Sequence, residues 1–276
     1  MAGSTTTDGR TTDSPTPLWR NRPFAFFWVA QLLSNTGTQV SELAILLTAV
    51  LLLSATPVQM GALTAMEALP SLVIGLFLGV LVDRVRRGRL LVWCNVGQGL
   101  LIATIPVAAF LGVLTLPQLY VVTFAVGGLA LAYGLAHVAY VPVLVTDSRY
   151  LATANASIAL TDSVTAVGGP GLGGLLVQIL TAPIAVAVGA ASFLVAAVLQ
   201  RAGRRTDPPP PAPPDGFGVS LREGMAAFAR HRGVVALTMA KAIPDFFHWG
   251  ALALYVLYAV RELHLSAAMI GLIAMV

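Results

Sequence analysis

With 276 residues, of which 57% are hydrophobic and 10% charged, the chain carries too few charges to cover a water-soluble surface, where roughly a quarter of residues are charged. A mean hydropathy of +0.83 assigns it to the membrane class, so the net charge of +4 reads as topogenic and not as a nucleic-acid footprint. The single cysteine, Cys94, excludes an internal disulfide.

Residues 1–17, MAGSTTTDGRTTDSPTP, are polar and read as a disordered tail; no short apolar core with a small-residue cleavage site marks a signal peptide. A membrane-crossing helix needs about 20 apolar residues. Eight stretches qualify or begin to: 24–53, 58–82, 90–110, 119–145, 158–180, 182–199, 234–260 and 266–276, the last cut short at Val276. The first six form a bundle within residues 18–200. Residues 201–233 make a cytoplasmic linker with PPPPAPP at 208–214, a stiff extended spacer. Its second part, SLREGMAAFARHR at 220–232, has the spacing of an interfacial amphipathic helix, with plain linker as the equal alternative. Residues 234–276 start a second transmembrane group.

Fourteen of the sixteen basic residues fall in the tail and in the second, fourth and sixth connections, which places the N-terminus in the cytoplasm. Arg261 lies in the seventh connection and Lys241 inside a span.

Ionisable side chains at mid-membrane are costly and ask for a protected environment. In the first span Gln31, Asn35, Thr38 and Glu42 recur at helical spacing and form one polar stripe. Thr64, Glu67 and Ser71 do so in the second span, Tyr133, His137 and Tyr140 in the fourth, and Lys241, Asp245 and His248 in the seventh, while Asp162 stands in the fifth. Spans three and six have no interior ionisable residue. This pattern predicts an internal aqueous path lined by spans 1, 2, 4, 5 and 7, with 3 and 6 facing lipid. The alternative is interhelical hydrogen bonding without transport chemistry. Lys241 and Asp245 are i, i+4 partners, and Pro244 between them predicts either a neutralised pair or a broken helix.

Gly79, Asp83, Arg84 and Arg87 close the second span in the run GVLVDRVRRGR, with Gly75 and Gly79 at a spacing that allows close helix approach. The run resembles the loop signature of the major facilitator superfamily, G-x-x-x-D-R-x-G-R-R, departing from it at Arg86, where the pattern has glycine. Gly169, Pro170, Gly173 and Gly174 in the fifth span resemble the superfamily's antiporter motif G-x-x-x-G-P-x-x-G-G, with Thr165 in place of the first glycine. Pro170 predicts a helix bend there, and Gly169 with Gly173 a packing face as the alternative. Trp19-Arg20-Asn21 and Ala154-Asn155-Ala156 are similar to short stretches in the branch that includes macrolide and enterobactin exporters.

The resemblance implies an all-α membrane protein: a six-span N-terminal major-facilitator bundle plus span seven and part of span eight. In that superfamily substrate binds between two six-span halves that rock against each other. About four spans of the pattern lie outside the chain, which predicts either a truncated product or a second half supplied by another chain. The implied function is proton-coupled efflux of an amphipathic small molecule such as a drug, macrolide or siderophore. A non-transporting membrane fragment or interaction partner is the alternative. Candidate pathway residues are Glu42, Asp162, Asp245, Glu67, His137, Asn35 and Lys241, with Glu42 and Asp162 foremost as proton carriers. No phosphate-binding loop, metal-ligand cluster or nucleophile–base pattern is present in the sequence, so neither a cofactor nor an enzymatic reaction is expected. The expected partners are substrate, protons and the bilayer, with no nucleic acid, and the expected location is a bacterial inner membrane.

Overall fold

The computed structural model describes residues 21–145, 148–203, 226 and 230–275. The helices are α1 (Arg22–Leu51), α2 (Pro57–Val73), α3 (Gly75–Arg84), α4 (Arg87–Phe110), α5 (Leu116–Leu144), α6 (Ser148–Leu180), α7 (Ala182–Gly203), α8 (Arg232–Arg261) and α9 (Ala267–Ile273). The tail at 1–17, the polyproline run and most of the 220–232 segment lie outside the described residues, as do the side chains of Asp83, Lys241, Asp245 and His248.

Four helices are long and apolar enough to cross a membrane among the described residues: Arg87–Phe110, Leu116–Leu144, Arg149–Leu180 and Ala182–Gly203. Helices α1 and α8 have 30 residues each, which at 1.5 Å per residue exceeds the hydrocarbon thickness. On α1 the stripe from Gln31 to Glu42 lowers the hydropathy that a fully lipid-facing helix would have. Helix α6 begins ten residues before the apolar run that announced it, because TANAS and its neighbours are helical although polar.

The second span is divided. Pro70 lacks an N–H, and four residues later Ile74 leaves the helical region (φ −119°, ψ 0°), so that α2 ends and α3 begins at Gly75. At the start of α2, Thr56 and Gln59 form a reciprocal cap in which the Thr56 N–H donates to Gln59 Oε1 (2.8 Å). Of the two alternatives at Pro244, the broken helix does not occur: α8 runs through it without interruption. Nor does Pro170 break α6. A lone proline removes one hydrogen bond of a long ladder, and the flanking turns hold the helix together.

Helix α1 packs against α6 and α7, α4 lies between α7 and α5, and α5 covers α2; α9 sits on α6 and α8 on α2. At one end of the bundle the Asn21 amide donates to the Leu144 carbonyl (3.2 Å) and Arg87 to the Ala139 carbonyl (3.2 Å). At the other end the Tyr120 hydroxyl donates to the Gln59 carbonyl (3.3 Å), and Arg261 Nη2 to the carbonyls of Ser54 (2.9 Å) and Ala55 (2.8 Å). Each end has its own apolar cluster. Phe24, Phe27, Leu91, Cys94, Tyr140 and Leu144 fill the arginine-rich end. Leu47, Met60, Leu63, Ile105, Leu119 and Phe193 belong to the cluster toward the other.

Close approach of α1 and α7 depends on Gly37 and Gly189. A Cβ on Gly37 would lie 3.1 Å from the Gly189 carbonyl oxygen and 3.1 Å from Ser192 Cβ. The GPGLGG run of α6 does the same: Gly169 and Gly173 face Gln39 and Val40 of α1, and Gly174 faces Gly271 of α9. These contacts are the ones the packing-face alternative for this motif describes. Gly79, in contrast, has nothing within 4 Å of an added Cβ and Gly75 only an ordinary contact with Leu131, so the close helix approach expected there is absent among the described residues. Helix α3 meets mainly α5, and those two glycines lie away from any tight crossing.

Candidate functional site

Between the two apolar clusters lies a layer of polar side chains. Ser34 Oγ donates to Asn95 Oδ1 (2.9 Å), and Asn95 Nδ2 to Gln200 Oε1 (2.9 Å). Gln200 Nε2 then donates to Tyr133 Oη (2.9 Å), and Tyr133 Oη to Gln31 Oε1 (2.8 Å). Gln31 Nε2 donates to Asn35 Oδ1 (3.2 Å), and Asn35 Nδ2 to Asp162 Oδ1 (2.6 Å). Every donor in this series points the same way along five helices and ends on a carboxylate, an arrangement in which each bond polarises the next. Ser34, Asn95, Gln200, Tyr133 and Gln31 are buried, whereas Asp162 is exposed. The Asp162 carboxyl stands where the network meets the open face of α6.

His137 lies on the same side of the layer. It stacks on Phe27 (centroids 4.9 Å apart, 16° between planes) and more distantly on Tyr133 (6.0 Å). Its Nε2 has no hydrogen-bond partner among the described residues.

Deeper in the bundle α1, α2, α4, α5 and α7 enclose a cavity of about 70 Å³, space for a few water-sized groups. Thr38, Ser41 and Glu42 line it from α1, Thr64 and Glu67 from α2, Gln98 from α4, Thr123 from α5 and Phe193 from α7. Helical spacing puts Glu42 one turn beyond Thr38 and Glu67 one turn beyond Thr64, so both stripes converge on the same space. Three polar atoms at this cavity, Ser41 Oγ, Glu42 Oε1 and Thr123 Oγ1, are buried without a hydrogen-bond partner among the described residues, and such atoms are uncommon in a folded interior.

Of the residues singled out from sequence, Glu42 and Glu67 share the cavity, while Asn35, His137 and Asp162 belong to the polar layer. Arg87 ties α4 to the end of α5. The prediction that spans three and six face only lipid is corrected. Asn95 and Gln98 on α4, and Phe193 and Gln200 on α7, point inward and are buried. A search for ionisable groups passes over neutral amides, although Asn95 and Gln200 are as strongly polar in hydrocarbon as their burial permits. Among the described residues no group of three or more His, Cys, Asp or Glu side chains converges to hold a metal.

The profile of the family described as transmembrane secretion effector matches residues 13–275. The chain belongs to this family of the major facilitator superfamily. No curated protein matches the sequence. A solved structure, a bacterial homologue of the human lysosomal transporter Spinster in an inward-facing and unoccupied conformation, superposes with a TM-score of 0.69 at 15% identity. The superposition covers 94% of this chain and 59% of that one. At that identity the likeness shows the fold, and the chain spans less than two thirds of the length of this neighbour.

Proposed function

We propose that this chain takes part in secondary active transport, exporting an amphipathic small molecule in exchange for protons across a bacterial inner membrane with its N-terminus in the cytoplasm. The observation that carries the reading is the Glu42–Glu67 pair on one cavity in the bundle interior, with Glu42 Oε1 unpartnered among the described residues. Two carboxyls facing one such space repel when both are ionised, and a single proton shared between them relieves the repulsion. A rearrangement of the helices that changed water access to the pair would load or release that proton. The divided second span supports this reading, because α2, which carries Glu67, ends two turns further on at Ile74, where the backbone leaves the helical region before α3 begins. Asp162, on the open face and joined to Asn35, is the second acid in the scheme, placed to meet a ligand entering between α6 and a facing helix.

The partners in this proposal are the substrate, protons and lipid, with further spans supplied beyond the residues in hand or by another chain. The test is proton movement in proteoliposomes carrying a trapped pH dye, driven by a macrolide or a lipophilic cationic dye, alongside equilibrium binding of the same probe. Glu42→Gln and Glu67→Gln are expected to reduce proton movement much more than probe binding. Full proton movement in both variants would remove the basis for the reading.

A further inference from the structure

Outside the bundle interior, α4 and α7 leave a second opening at the arginine-rich end, a groove of about 660 Å³ on the outer face of the helix pair. Arg89, Trp93 and Val96 line it from α4 at i, i+4 and i+7, and Leu194, Val198 and Arg201 from α7 at the same spacing. The two helices run antiparallel, so Arg89 in the first turn of one and Arg201 in the last turns of the other stand together at the mouth. From there the apolar side chains lead toward the membrane centre. Trp93 is 69% exposed and Val198 67% exposed, and no acidic residue lines the groove.

We infer that this groove binds an anionic phospholipid of the cytoplasmic leaflet, its phosphate between Arg89 and Arg201 and an acyl chain along Trp93, Val96 and Val198. The shape of the site follows the shape of the ligand: two guanidinium groups at headgroup depth, an indole at the interface where tryptophan is favoured, and a hydrocarbon wall below. A free inorganic anion would leave the apolar wall unused, and a zwitterionic lipid would bring its own cationic group beside the two guanidinium groups and cancel much of their attraction. This inference does not depend on the transport reading; it depends on the arginine-rich end facing the cytoplasm. The inner faces of the same two helices are joined by the Asn95–Gln200 hydrogen bond, so a lipid seated outside would brace the pair that carries half of the polar layer.

The experiment is fluorescence quenching in nanodiscs of the full chain with Trp19, Trp28 and Trp249 changed to Phe, leaving Trp93 as reporter. Brominated phosphatidylglycerol is compared with brominated phosphatidylcholine. Two basic side chains near an anionic surface correspond to a preference on the order of thirtyfold for the anionic lipid. That preference is expected to vanish in Arg89→Gln/Arg201→Gln and to persist in Arg89→Lys/Arg201→Lys. Native mass spectrometry of the unmodified chain should retain phosphatidylglycerol in preference to phosphatidylcholine. Equal quenching by the two lipids, a preference that survives the double Gln change, or complete displacement by millimolar inorganic phosphate would overturn the inference, the last by showing an anion site without lipid specificity.

Discussion

Changing Tyr133 to Phe removes one oxygen from the middle of the polar layer and breaks it into two. The ring remains, with its contact to His137, so the loss is confined to the bond donated to Gln31 Oε1 and the one accepted from Gln200 Nε2. Each partner keeps one other bond within the layer, Gln31 to Asn35 and Gln200 to Asn95, which spares it full isolation. Interhelical hydrogen bonds in membrane proteins average about 0.6 kcal/mol and reach about 1.7. Two such bonds give an expected loss of about 1 to 3 kcal/mol. At roughly 2 to 4 °C per kcal/mol for a protein of this size, the melting midpoint in detergent should fall by about 2 to 12 °C. Thermal unfolding of Tyr133→Phe, Gln31→Met and the double variant, followed by far-ultraviolet circular dichroism, closes the cycle. A coupling of about 0.6 kcal/mol or more between the two positions is expected. Strictly additive effects, or an unchanged midpoint for Tyr133→Phe, would refute the claim that the layer is held by these bonds.

The glycine crossings make a second prediction with a change of sign. Gly134→Ala, where an added Cβ meets nothing within 4 Å, should raise the melting midpoint through a helix-propensity gain of up to about 1 kcal/mol. Gly37→Ala adds the same methyl against the Gly189 carbonyl at 3.1 Å, where overpacking of about 1 to 3 kcal/mol cancels or exceeds that gain; equal stabilisation of the two variants in the same melt would refute the crossing. At the opposite end from the arginines, Arg261→Gln removes both bonds to the Ser54 and Ala55 carbonyls. With each charged bond at an exposed site worth about 0.5 kcal/mol after screening, labelling of an Ala55→Cys reporter by an impermeant maleimide should rise roughly fivefold, and unchanged labelling would show that this contact does not close that end.

The sequence by itself determined that the chain belongs in a bilayer, where its apolar stretches lie, and which carboxyls are out of place in hydrocarbon. Those properties are local: hydropathy depends on residue type, and the stripe from Gln31 to Glu42 follows from helical geometry alone. The superfamily resemblance was legible too, in Gly79, Arg84 and Arg87 and in the glycine-proline run of α6. What only the tertiary structure decided is which stripe faces which. Glu67 looked minor in sequence because its stripe is short, yet the packing of α2 against α5 aims it into the cavity that Glu42 lines from α1. Asp162 looked central, and the packing of α6 leaves it exposed, at the end of a series that begins at Ser34. Asn95 and Gln200 carry no charge and sit in spans that read as lipid-facing, so their pairing across 105 residues has no local signature. A buried amide announces itself only through the partner that satisfies it, and that partner is chosen by how the helices pack.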